Sequence, residues 1–411
     1  MKKIISVLLC AILALSMAVF PAMADDGLSA SDFDTEYYSK FKNDKITLYV
    51  YNWGEYIADG ADGTADVIAL FEELTGIEVE YTTFDTNEGL FSKLQSGSAY
   101  YDVVIPSDYM IARLAENGML ETLDFSNIPN YAAYIDEQFK NPGYDPEALY
   151  SVPYTWGTVG IIYNTKYITE EIDSWAALWN EEYADRILMF DNSRDSFAIA
   201  LARLGYSINT ENMDEINEAA ELLREQKSLV QAYVMDQIFD KMVGENAWIA
   251  PYYAGDYLTM SADNPDLAFA FPKEGSNQFV DAMCIPKDCV NKEAAEMFIN
   301  FMCEPLISAE NCGYVGYSTP VSEAKNYMDE EKAMNAIAYP SDEILQNTEV
   351  FVNLSDDTNK MLDMLWISIN VGGLSIGFWI TVGVIALGVT GFCIYRMQKK
   401  KYRMAMRSRD L

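Results

Sequence analysis

The sequence predicts an α/β fold in two lobes, and three observations carry that prediction. From Ile46 onward, short apolar strands alternate with stretches at helical spacing, the pattern of repeated β-α-β units. At Tyr150 the text changes to SVPYTWGTVGIIYN, a strand punctuated by Pro153, Gly157 and Gly160, and helices follow it. The folded part runs to about 310 residues, more than a single core comfortably fills.

Taken in order, the run Ile46 to Tyr51 is nearly continuous in apolar character, as in a strand covered on both faces, and it stops at a loop carrying Trp53, Glu55 and Tyr56. Val67, Ile68, Phe71 and Leu74 fall on one helical face over 64–74, with Gly76 as the stop. Ile77, Val79 and Tyr81 alternate as a second strand. Asn87 is placed to cap a helix with Leu90, Phe91 and Leu94 inward, and DVVIP (102–106) reads as a third strand. Helices are expected over 175–179, 197–204, 216–225 and 292–303, with WIAPYY (248–253) and DAMCIP (281–286) as further strands. In open α/β sheets the ligand crevice lies beyond the carboxyl ends of the strands, so the loops after residues 52 and 106 should open on one place.

Both ends of the chain carry their own signals. Lys2 and Lys3 precede an apolar run from Ile4 to Phe20, and Ala22-Met23-Ala24 supplies a cleavage pattern, so residues 1–24 read as a signal peptide. Residues 25–44 are acidic and polar and read as a flexible leader. Between Asp363 and Arg396 no charge occurs, and 371–395 is long enough to span a bilayer, with 361–370 as its stalk. The tail 396–411 holds seven basic residues, which the positive-inside rule places in the cytoplasm. The expectation is an exported, single-pass protein facing outward from the cytoplasmic membrane.

Without the signal and the tail, 19 basic residues stand against 62 acidic ones, about −43. Nucleic acid would be repelled by such a surface. The chain has no histidine, which excludes Ser-His-Asp and Cys-His nucleophile sets and HExxH metal sites. Cys284, Cys289, Cys303 and Cys312 fit no zinc spacing, and one or two disulfides are open to them. No metal or cofactor is expected.

Three carboxylates stand beside aromatic or turn residues at crevice positions: Glu55, Asp195 in FDNSRD, and Asp281 just after Phe279. An ammonium needs a charged acceptor and its methylenes an apolar wall, to which an aromatic face adds about 0.5–2 kcal/mol of cation–π attraction. Taken singly, each acid is more simply a turn or cap residue; their joint placement at strand ends suits a linear polyamine.

The stretches YNWGEY (51–56), TGIEVEYTTFDTNEGLFSKL (75–94), YDVVIPSDYM (101–110), SVPYTWG (151–157), SWAALW (174–179), FPKEG (271–275), INFM (299–302) and GYSTP (316–320) together resemble the spermidine/putrescine-binding proteins of polyamine ABC importers. The resemblance implies a periplasmic-binding-protein type II fold with a hinge, lobe 1 over 45–155 and 282–322, and lobe 2 over 156–281 and 323–360. It further implies a monomeric, non-enzymatic ectodomain that hands its ligand to a permease. Carried over by motif, Trp53, Glu55 and Tyr56 form one wall with Ser107 and Tyr109 beside them. Asn192 and Asp195 approach from lobe 2, with Tyr252, Phe279, Asp281 and Tyr317 completing the site. Here Asn192, Tyr252 and Phe279 depart from the family pattern, and Phe351 stands where a glutamine is usual, leaving the choice between spermidine and putrescine open. Rival readings are a site for another organic cation and a glycosidase using Glu55 and Asp281 as its acid pair.

Overall fold

The computed structural model describes residues 28–371. The expected signal peptide, the apolar run at 371–395 beyond Val371, and the basic tail lie outside the described residues. Among the described residues no helix is long and apolar enough to cross a membrane.

Ten strands join in one sheet: β1 (Thr47–Trp53), β2 (Glu78–Phe84), β3 (Val103–Val104), β4 (Ser151–Asn164), β5 (Ile187–Phe190), β6 (Val230–Val234), β7 (Ile249–Tyr253), β8 (Leu267–Ala270), β9 (Ser276–Cys284) and β10 (Thr348–Glu349). Their order is β2-β1-β3-β9-β4-β7-β5-β6, with β8 paired to β4 and β10 to β9. In the first lobe β1 runs parallel to both β2 and β3. In the second, β5 runs parallel to β6 and β7. β4 serves both: Ser151 to Thr158 pair antiparallel with β9, and Val159 to Tyr163 pair antiparallel with β7. This single strand of 14 residues, buried along almost its whole length, explains the long apolar text SVPYTWGTVGIIYN.

The helices behave as their sequences require. α1 (Val67–Thr75) is capped by Asp66, whose carboxylate accepts from the Ala69 N–H, and ends at Gly76 with φ +73°. A Cβ at residue 76 would lie 2.9 Å from the Lys42 carbonyl, so only glycine fits this stop. α2 (Asn87–Gln95) starts one residue earlier than its expected cap: Thr86, not Asn87, accepts from the Gly89 N–H. α3 (Asp108–Glu116) follows β3, and α4 (Ser193–Leu204) and α5 (Met213–Gln226) follow β5. α6 (Ala254–Asp263) begins directly from β7, and α7 (Lys292–Met302) and α8 (Pro305–Val315) follow β9.

One expectation about the ends, the flexible leader, is corrected. From Leu28 on, the segment expected as a flexible leader is folded onto the first lobe. Tyr38 has no exposed surface, its ring packs edge-on against Phe301, and its hydroxyl donates to Glu304 at 2.7 Å while accepting from Asn300 at 2.9 Å. Phe33 and Phe71 join the same aromatic cluster. The acidic composition concealed these two anchors. The expected stalk, 361–370, is part of a helix, α9 (Asp356–Val371), that lies against α4 and α5. Thr358, Leu362, Trp366 and Ile369 are buried at helical spacing, an apolar stripe that the sequence shows but a free spacer would not need.

The four cysteines of this region are all free thiols. Replacing Tyr38 by alanine is expected to lower unfolding stability by about 3–5 kcal/mol, the loss typical of a large buried aromatic. Urea denaturation checks this, and a change within 0.5 kcal/mol, the range of an ordinary surface substitution, would mean the segment adds nothing to the core.

Candidate ligand site

The carboxyl ends of six strands face one crevice. β1 delivers Trp53 and Gly54, β2 delivers Asp85, and β3 leads to Ser107 and Tyr109. From the other lobe β5 leads to Asn192 and Asp195, β6 to Met235 and Asp236, and β7 to Tyr252, Tyr253 and Asp256. β9 crosses between them and adds Phe279 and Asp281. The walls border about 730 Å³ of space free of protein atoms, part of it open to solvent. The two lobes come close at the rim: a Cβ on Gly54 would sit 2.3 Å from Oδ2 of Asp236.

Six carboxylates line the cavity, namely Asp85, Glu88, Asp195, Asp236, Asp256 and Asp281, and no lysine or arginine is among the described lining residues. Four of the six are held by tyrosine hydroxyls. Tyr56 donates to Asp281 Oδ2 at 2.6 Å and lies 2.6 Å from the Thr155 hydroxyl. Tyr253 donates to Asp195 Oδ2 at 2.9 Å, Tyr317 to Asp256 Oδ2 at 2.9 Å, and Tyr109 to Glu88 Oε1 at 2.9 Å. The hydroxyls fix the acids without neutralising them. Among the described residues, Oδ1 of buried Asp281 and the indole N–H of Trp53 have no hydrogen-bond partner. An acceptor and a donor are thus left for a ligand.

Burial dominates the electrostatics. Desolvation pushes Asp281 up to about 6, against the nearby Ser107 and Tyr56 hydroxyls, and Asp256 up to about 8, against the Tyr317 hydroxyl. Asp195 and Glu88 are raised for the same reason. Asp236 is raised by burial and then by the charges of Asp85 and Glu55. Behind the cavity Asp108, which accepts from the Tyr109 and Val280 N–H groups, is pushed by burial up to about 8. A bound cation opposes these upward shifts by favouring the charged carboxylates.

Ten of the eleven residues expected from sequence line this cavity; Glu55 does not. Glu55 sits at φ +49°, is exposed, and borders a neighbouring depression with Asp59, Asp66 and Glu72. The left-handed turn after β1 aims residue 55 away from the crevice while Trp53 and Tyr56 face it, a reversal that strand-end placement does not show. The glycosidase pairing falls with it, because Glu55 and Asp281 do not share a cavity. Asn192 is present as the cap of α4, accepting from the Asp195 N–H at 2.8 Å and donating to the Asp195 carboxylate at 2.8 Å. It positions the acid. Tyr252 stacks on Phe190 with centroids 5.2 Å apart, and its neighbour Tyr253 makes the bond to Asp195. Sequence reasoning missed Asp85, Glu88, Asp236, Asp256 and Tyr253 as lining groups. Of these Asp256 carried a signal, since YYAGDY sets it between aromatics at a strand end.

Glycines shape the back wall. A Cβ on Gly255 would lie 2.4 Å from Tyr317 Cδ2, and one on Gly157 would lie 2.9 Å from Phe279 Cζ. Both rings reach the cavity because those Cβ atoms are missing.

A sequence model of the bacterial extracellular solute-binding proteins matches residues 98–347. The chain belongs to this family. A spermidine/putrescine-binding periplasmic protein of Salmonella typhimurium is 33% identical over 309 residues, covering 75% of this chain and 87% of its own. The solved spermidine/putrescine ABC transporter substrate-binding protein of Streptococcus pneumoniae superposes with a TM-score of 0.67 at 34% identity, over 80% of this chain and 99% of that one. A lipoprotein of Treponema pallidum does so with a TM-score of 0.70 at 28% identity, over 79% of this chain and 99% of that one. These solute-binding proteins are not enzymes.

Two outcomes are expected of the site. Because burial raises the cavity acids in the empty fold, the unfolded chain loses these protons near pH 4 and the folded chain only near 6 to 8. Ligand-free stability should therefore fall as pH rises across that window, while cation affinity rises, by about tenfold between pH 5.5 and 7.5 with proton release on binding. Calorimetry in buffers of different ionisation heat, with thermal melts of the empty protein, checks both signs. Gly255→Ala should displace the Tyr317 ring, costing about 1–3 kcal/mol of stability and weakening ligand binding through Asp256; denaturation and titration of the variant measure the two effects.

Proposed function

We propose that the cavity captures a polyamine, spermidine and/or putrescine, outside the cytoplasm, and that the chain delivers it to the membrane subunits of an ABC permease. The observation that carries this reading is the inventory of the walls: six carboxylates and no basic residue among the described lining residues, alternating with Trp53, Tyr56, Tyr109, Tyr252, Tyr253, Phe279 and Tyr317. Carboxylates accept from ammonium groups, and the rings cover the methylenes between them. The relatives whose names include spermidine and putrescine support the same ligand class. The crossing strands β4 and β9 support a hinge about which the lobes close, with Gly54 and Asp236 meeting at the rim. Among other organic cations a quaternary amine suits the site less well, since it has no N–H for the free oxygen of Asp281.

We also propose that the protein stays attached to the membrane. The uncharged stretch 371–395 followed by seven basic residues supports an anchor with its tail in the cytoplasm.

Titration with spermidine, putrescine and cadaverine, with choline as the quaternary control, tests the ligand. A saturable heat and a rise in Tm are expected with at least one of the first three. Asp281→Asn keeps the shape and removes the charge, and should weaken that binding by about 1.5–3 kcal/mol. Absence of any response to the three amines would overturn the polyamine reading.

A further inference from the structure

The last described segment touches the cavity and its supports at successive points. Phe351 lines the cavity and packs edge-on against Tyr109 of the first lobe, with ring centroids 5.7 Å apart. The Arg194 guanidinium lies over the Phe351 ring at 4.5 Å, and its Nη2 donates to the Val352 carbonyl at 3.1 Å. One residue earlier, Ser193 donates its hydroxyl to Asp363 Oδ1 of α9 at 3.0 Å. Ser193 and Arg194 are the first two residues of α4, directly between Asn192 and Asp195, and both are buried.

The rest of α9 is fastened to the same lobe. Trp366 packs edge-on against Tyr233 beside β6, Arg224 donates to the Ser368 hydroxyl at 3.1 Å, and Lys227 donates to the carbonyls of Ile369 and Asn370. By contrast, contacts from this segment to the first lobe are few, chiefly Phe351 with Tyr109 and Asn353 with Glu116.

We propose that the segment from Phe351 through α9 is a coupling element: it joins the chain's C-terminal continuation rigidly to the second lobe, makes the first lobe the one that moves, and links α9 docking to ligand occupancy through Asp363, Ser193 and the start of α4. Asp363 acts here as a positioning residue for Asp195. Ligand that orders Asp195 tightens α9, and by reciprocity a docked α9 favours the ligand. The ligand arm rests on the polyamine reading of the cavity; the docking arm does not.

Hydrogen–deuterium exchange on the full chain separates the two. In the ligand-free protein, Asp363→Leu should speed exchange both in 356–371 and at 193–197, with residues 67–75 of the first lobe unchanged as the folding control. Asp363→Asn, which retains the acceptor for Ser193, should restore the wild-type pattern. With spermidine as probe, wild type and Asp363→Asn should show slowed exchange in 356–371, and Asp363→Leu should bind about fivefold or more weakly. The coupling is overturned if 193–197 exchanges as in wild type while 356–371 loosens. It is equally overturned if spermidine protects the cavity strands and leaves 356–371 unaffected. Absence of a spermidine response in wild type, cavity strands included, refutes the ligand arm together with the polyamine reading, while the ligand-free comparison still decides the docking arm.

Discussion

Most of the site's architecture follows from one constraint: several carboxylates are buried together with no basic residue among the described lining groups. An uncompensated carboxylate in such a place either takes a proton or finds partners, and here each of four acids is given a tyrosine hydroxyl. A neutral donor orients the acid and leaves its charge for something else. The aromatic content of the cavity is in this sense doubly used, since the same rings that would cover methylenes carry the hydroxyls that hold the acids.

This arrangement shapes the lobes as well. Tyr317 donates to Asp256 across the crevice, and its ring fits because residue 255 has no Cβ. Asp236 comes up against Gly54 at the rim and is raised in part by the charges of Asp85 and Glu55. Bringing the lobes together therefore brings like charges together, and a cation between them offsets that repulsion. Under the proposed reading, closure and cation capture would be one electrostatic event.

The reach of the sequence is clearest at particular residues. Strand ends identified the crevice because parallel sheets place their loops on one side, and Trp53, Tyr56, Ser107, Tyr109, Asp195, Tyr252, Phe279, Asp281 and Tyr317 could be picked from that rule and from motif resemblance. Glu55 escaped it, since the direction of a side chain in a turn depends on a backbone angle that composition does not encode. Asp85, Asp236 and Asp256 escaped it for a different reason: they enter the site from loops and a helix start whose neighbours in space come from the other lobe. The flexible leader was misjudged because polar composition outweighed two anchors, Phe33 and Tyr38, that find their pockets only in the folded lobe.

By itself the sequence determined the α/β class, the two-lobed division, the excess of acid, the absence of histidine and the family, because these rest on periodicity, composition and ordered motifs. Tertiary structure alone decided which acids share the cavity, which tyrosine holds each of them, and that α9 belongs to the second lobe. Those facts depend on contacts between residues far apart in the chain, such as Tyr56 with Asp281 and Ser193 with Asp363, and only the folded packing creates them.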